Sequence, residues 1–97
     1  MEQEPDNAHA LNNIGFTKIK LEKYDEAIID FSYQIKTKGD FAYPYNNRGF
    51  CYLKNGELAK AIADIDRSLE IDPENAFAHK NKFIEEFYLT ILTYPTN

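Results

Sequence analysis

Residues Ala42–Asn75 read AYPYNNRGFCYLKNGELAKAIADIDRSLEIDPEN, and this stretch decides the fold. Shifted back by 34 positions it falls without a gap on Ala8–Phe41, AHALNNIGFTKIKLEKYDEAIIDFSYQIKTKGDF. Ala8/Ala42, Asn12/Asn46, Asn13/Asn47, Gly15/Gly49, Phe16/Phe50, Lys20/Lys54, Ala27/Ala61, Ile28/Ile62 and Asp30/Asp64 are identical across the shift. A fixed period of this length marks a stacked repeat, in which one unit cannot bury its apolar face alone.

Working outward, each copy reads as a helix, a short turn and a second helix. In the first copy the helices are expected over about 7–21 and 24–38. Pro5-Asp6-Asn7 offers capping groups for the first. Leu11, Ile14, Gly15 and Lys18 share one side of it, and His9, Asn12, Phe16, Ile19 and Lys20 another. The link Glu22-Lys23 lacks the glycine such a turn favours. Tyr24, Ala27, Ile28, Phe31 and Ile35 recur at helical spacing and predict the buried stripe of the second helix. Asp25, Glu26 and Asp30 mark its wet side, and Gly39 ends it in a left-handed conformation. The second copy predicts helices over about 42–54 and 58–71, with Pro44 in a first turn and Asn55-Gly56 as the stop. Leu58, Ala61, Ile62, Ile65 and Leu69 form its buried stripe.

A fifth helix is expected over about 73–93, with Asp72 as its cap, Pro73 in its first position and Glu74 at its positive dipole end. It opens like a third copy, since Ala76 matches Ala8 and Ala42, and Asn81 matches Asn13 and Asn47. It then departs: Phe83 stands where the first two copies have Gly15 and Gly49. Leu89–Thr93 is β-branched enough for a strand, but no pairing strand is legible, so helix is expected up to a stop at Pro95.

The bulk composition narrows the function. With 97 residues the chain has the size of one small domain, expected to divide into a repeat over 8–41, a repeat over 42–75 and a half-repeat over 76–97. Its net charge of -5 argues against nucleic acid, whose phosphates call for a surplus of Lys and Arg, and points to a basic or neutral partner. The single cysteine, Cys51, forms no internal disulfide and fits a reducing compartment. The acidic N-terminal MEQEPDNAHA lacks the apolar run of a secretory signal, and no segment reaches the ~20 apolar residues of a membrane helix. A cytoplasmic protein without membrane contact is expected.

These residues together resemble the tetratricopeptide repeat family, whose 34-residue pattern is W-x2-L-G-x2-Y, then A-x3-F, then P. Tyr45, Gly49, Tyr52, Ala61, Ile65 and Pro73 stand in those slots in the second copy, with Arg48 in place of the Leu. Leu11, Ile14, Gly15, Ala27 and Phe31 stand in them in the first, with Lys18 for the Tyr and Gly39 for the Pro. The match spans two repeats and a half, about nine-tenths of the chain. The physical content is close approach: Gly15 with Ala27, and Gly49 with Ala61, are small residues where two helices cross, and a larger one would cost about 1–3 kcal/mol.

The resemblance implies an all-α solenoid of five helices, the first of each pair lining a concave groove that takes an extended peptide or a partner helix. The groove residues it implies are Asn12, Phe16 and Lys20, then Tyr43, Asn46, Asn47, Phe50 and Lys54, then Phe77 and Lys80, with Ile84 beyond. Two readings stay open for the Asn columns. They pin a partner's backbone, since an amide both donates and accepts, or they bond across the stack. Phe16 and Phe50 are either aromatic anchors or core. The family's carboxylate clamp is not reproduced: Asn47 fits it, but Asn12, Phe16, Phe77 and Asn81 stand where it needs Lys, Asn, Lys and Arg.

No catalytic site is legible. His9 and His79 lack companions at metal-ligand spacing, Cys51 has no basic neighbour, and there is no glycine-rich phosphate loop. The expectation is a non-catalytic module without cofactor or metal that binds a protein or peptide. The alternative is a structural piece: a homo-oligomer formed through the aromatic last helix, or a fragment of a longer array.

Overall fold

Apolar residues at helical spacing, interrupted by turn chemistry, give five α-helices in succession among the described residues. The computed structural model describes residues 8–39 and 41–93, and the side chains of residues 14–39 and 41–93. The helices are α1 (Ala8–Lys20), α2 (Tyr24–Lys38), α3 (Ala42–Lys54), α4 (Leu58–Ile71) and α5 (Ala76–Thr93), with no strand among the described residues. The run Leu89–Thr93 continues α5 as helix. The expected cap at Pro5-Asp6-Asn7 and the stop at Pro95 lie outside the described residues.

The start of α5 is corrected from residue 73 to Ala76. Asp72 Oδ1 accepts the Glu74 amide at 3.2 Å, and the Asp72 carbonyl accepts the Asn75 amide at 3.1 Å. Asp72 is thereby used up in a tight turn over Pro73-Glu74. Asn75 Oδ1 then accepts the Ala78 amide at 2.9 Å, three residues on, which is the N-cap bond. The cap is Asn75, not Asp72.

The turns inside the two helix pairs are built alike. After α1, the Lys23 amide reaches back to the Lys18 carbonyl at 2.8 Å and the Glu22 amide to Ile19 at 2.9 Å. After α3, Glu57 reaches Tyr52 at 2.9 Å and Gly56 reaches Leu53 at 3.1 Å, each 34 residues later. This is the Schellman closure, which requires a left-handed residue at its corner. Gly56 takes that corner at φ 79°, and Glu22 takes it at φ 61° despite its side chain.

Each helix packs on the next, and α1 also meets α3, as α3 meets α5. The first helices of the pairs therefore lie next to one another along one side of a stack of helices, forming a solenoid. Ala27, Phe31 and Cys51 form one buried cluster, with Ile19, Tyr24 and Ile28 against it. Leu53, Ala61 and Ile65 form the next, with Tyr52, Leu58, Leu69 and Ile84. Gly15 abuts the Phe31 ring so closely that a Cβ there would overlap it, and a Cβ on Gly49 would lie 2.8 Å from Ile65 Cγ1.

Asp30 is corrected from the wet side to a paired position: Lys18 Nζ lies 2.8 Å from its Oδ2. Asp64, 34 residues on, is buried and held from two sides by Arg48, through Nε at 2.6 Å and Nη2 at 2.8 Å. Arg48 Nη1 also donates to Ser32 Oγ on α2 at 3.0 Å. The guanidinium lies 5.8 Å from the centres of both the Tyr45 and Tyr52 rings. Lys82, 34 positions after Arg48, reaches back in the same manner to Asp66 on α4 at 2.8 Å. Asp25 and Glu26 are exposed as expected.

Candidate functional site: a groove along the first helices

Residues one repeat apart on α1, α3 and α5 fall in columns, because each of these helices is set against the one before it in the same register. Their columns converge on a hollow of about 190 Å³. Phe16 and Ile19 come from α1, Asn46, Asn47 and Phe50 from α3, and Phe77, Lys80, Asn81 and Ile84 from α5. Only first helices contribute. The walls are mainly aromatic and aliphatic, with amides at the base and one ammonium at the rim. Phe16 and Phe77 are exposed, at 38% and 65%, while Phe50 is half-buried with its ring edge-on to Tyr24 at 6.4 Å.

Six of the ten residues expected in the groove thus meet around one hollow: Phe16, Asn46, Asn47, Phe50, Phe77 and Lys80. Lys20 is exposed at the end of α1, away from it. Lys54 sits at the end of α3 with its Nζ 5.8 Å from the centre of the Phe50 ring, and it borders a second hollow with Leu53, Leu58, Tyr88, Ile91 and Leu92. Tyr43 turns toward α2, where its hydroxyl accepts from Nε2 of the fully buried Gln34 at 2.9 Å and its ring stacks on Phe41. The side chain of Asn12 lies outside the described residues, as does that of His9.

The two readings of the asparagines separate here. Asn81 Nδ2 donates to Asn46 Oδ1 at 2.8 Å, both side chains being buried, so this pair ties α5 to α3 across the stack. Asn47 is also buried, at 7% exposure, beneath the aromatic walls. The amides form the base of the groove, and the rings and Lys80 present its accessible surface.

Charge is local. The chain carries -5 overall, yet the ionisable group lining the hollow is a lysine, and Lys54 stands beside it. A basic partner suggested by net charge meets cations at this place. His79 Nε2 lies 2.7 Å from the Pro73 carbonyl, serving the turn before α5. Cys51 is fully buried, and burial pushes its thiol up to about 12, so it stays protonated and unreactive.

What sequence reasoning missed is the set of ion pairs behind the groove, Arg48–Asp64 above all. The signal was present: Asp30 and Asp64 are identical across the period, and a solvated carboxylate has no reason to recur in register.

The geometry can hold an extended or helical segment by its apolar side chains. Compared with protein-family models, the chain matches the tetratricopeptide repeat twice, over residues 42–75 and over residues 8–34. Comparison with curated proteins finds no match. Among the described residues, no helix is long and apolar enough to cross a membrane.

Proposed function

Because the chain belongs to the tetratricopeptide repeat family, whose members are generally non-catalytic protein-interaction modules, we propose that it binds a peptide or partner helix in the groove of α1, α3 and α5. The observation that carries this reading is the aromatic hollow with Phe16, Phe50 and Phe77 on its walls and Lys80 at its rim. Exposed aromatic side chains around a concave, mainly apolar site are the groups that dominate recognition. The ligand that fits has apolar side chains to seat against the rings and no cation where it meets Lys80 and Lys54. Nucleic acid and membrane are poor ligands for a chain of this charge, and a free, buried Cys51 suits the cytoplasm.

The test is selection from a displayed peptide library on the full chain, followed by titration of the selected peptides. Phe50→Ala should weaken them by about tenfold or more, the size of an aromatic contact, while the helical signal stays unchanged. Equal affinity for wild type and Phe50→Ala would exclude the groove as the docking site.

A further inference from the structure

The charges of this acidic chain are distributed unevenly over its helices. α1 and α3 contain no Asp or Glu, and their charged residues are Lys18, Lys20, Arg48 and Lys54. The two carboxylates of α5 are directed elsewhere. Glu85 is buried beside Lys82, and Glu86 borders a separate hollow with Phe83, Phe87 and Thr90. Asp30, Asp64 and Asp66 belong to the second helices, and each is held by a cation. No carboxylate of the described residues lines the hollow of the groove.

The cations of the groove, in contrast, are unpaired. Ion pairs among the described residues use Lys18, Arg48, Lys60, Arg67 and Lys82, and they leave Lys54 and Lys80 without a counter-charge. Both of these lysines are exposed. Register sets them on either side of the rings. Lys80 occupies the slot of Asn46, Phe50 follows about one helical turn later, and Lys54 about one turn after that. Lys54 Nζ lies 5.8 Å from the centre of the Phe50 ring, so cation and apolar wall adjoin. Lys20, one repeat before Lys54, extends this basic edge onto α1.

We propose that the occupant of the groove is an internal segment of a partner protein whose apolar side chains are bracketed by Asp or Glu, an inference that rests on the docking reading above. The apolar side chains seat among Phe16, Phe50 and Phe77. The carboxylates meet Lys80 on one side of the rings and Lys54 on the other. The net charge of -5 does not oppose this. At physiological salt, charges beyond ~8 Å are largely screened, so ammonium groups in contact outweigh carboxylates on the second helices and turns. A cationic segment fares worst, because its charge would face unpaired lysines with no carboxylate in the walls to receive it. A free C-terminal carboxylate lies at one end of its chain, whereas the two lysines flank the rings. Charge complementarity therefore favours acidic side chains within a continuous segment.

The experiment is selection on the full chain from random peptides displayed between flanking protein segments, so that neither peptide end is free. Peptides that also bind Phe50→Ala are discarded, which leaves those docked in the groove. These should carry Asp or Glu on both sides of aromatic or aliphatic residues. In titrations of synthetic versions with amidated ends, exchanging Asp for Asn and Glu for Gln should weaken binding by about tenfold. Lys54→Ala and Lys80→Ala should each weaken the acidic peptide by about threefold, an effect that fades with added salt, and leave the Asn/Gln version unchanged. Both lysines are exposed, and the helical signal verifies that each variant folds. Groove-dependent peptides that are neutral or basic would overturn the acidic occupant and keep the groove. So would acidic peptides that bind both lysine variants as tightly as wild type, or an Asn/Gln version fully restored by a free C-terminal carboxylate. Selection that yields no Phe50-dependent peptide would remove the groove and this occupant together.

Discussion

The pairs α1–α2 and α3–α4 follow the same backbone path with different side chains in the same slots. Glu22 and Gly56 both turn the corner with positive φ. Phe31 and Ile65 both close on a glycine. Asp30 and Asp64 are each held by a cation from the first helix of their pair, but the cation comes from different slots, Lys18 in one and Arg48 in the other. The period therefore specifies where the backbone closes and where the helices touch. It leaves open which chemistry fills the contact, and the more buried solution belongs to the second pair.

The largest contrast should be in the ion pairs. Asp64 is buried with a bidentate Arg48, whereas the Asp30 and Lys18 side chains keep 21% and 28% of their surface. Both cations are stabilised in the charged form, Arg48 chiefly by its hydrogen bond to Asp64 and Lys18 chiefly by that to Asp30. Asp64→Ala leaves a guanidinium between two tyrosines without its counter-charge and should cost about 3 kcal/mol or more. Asp30→Ala frees Lys18 to water and should lower the unfolding midpoint much less. The double change Arg48→Leu/Asp64→Leu should recover most of the loss, because removing both partners is milder than removing one. Equal denaturation midpoints for the two single aspartate variants would break the distinction between the pairs.

This contrast also marks the limit of what the sequence discloses. Helix positions were legible because apolar spacing reports them directly, and α2, α3 and α4 have their expected bounds. The pair of rings at Phe16 and Phe50, one repeat apart, was legible for the same reason; its third slot is the aliphatic Ile84, and Phe77 follows Tyr43 in another column. Partners of polar groups were not. An amide donates and accepts in any direction, so nothing in the chain told Asn46 to bond Asn81, or Tyr43 to leave the groove for Gln34. Asp72-Pro73 has the composition of a helix start, yet a neighbouring Asn75 with an equally good acceptor takes the cap one turn later.

The turn corners should give a smaller effect of opposite sign in the two pairs. Glu22 carries a Cβ in a left-handed conformation, which costs an ordinary residue about 1 kcal/mol, whereas Gly56 adopts it freely. Glu22→Gly should stabilise the chain by up to about 1 kcal/mol, and Gly56→Ala should destabilise it by about as much. Urea titrations of both variants read the sign. If Glu22→Gly lowers stability, the Glu22 side chain makes a contact that outweighs its backbone strain.

The smallest effect concerns one slot followed through all three first helices: Thr17, Cys51 and Glu85. Thr17 is exposed, Cys51 is buried among apolar neighbours, and Glu85 is buried at 1% exposure against α4. Burial raises the Glu85 carboxyl above its ordinary value, and the ammonium of Lys82 at 3.2 Å offsets part of the rise. The folded chain then holds a proton that the unfolded chain has released, so the linkage has a definite sign. The contribution is complete below the ordinary value of 4.5 and is lost as pH rises through the raised one. Glu85→Gln keeps an acceptor for Lys82 and removes the titration. Its unfolding midpoint should match wild type at low pH and exceed it at neutral pH, by less than about 1 kcal/mol. Other carboxylates titrate in the same range, so the quantity to follow is the difference between the two proteins. A difference that stays flat from pH 4 to pH 8 would mean that Glu85 ionises in the fold as readily as in the unfolded chain, and that this slot tolerates a charge as easily as it holds a thiol.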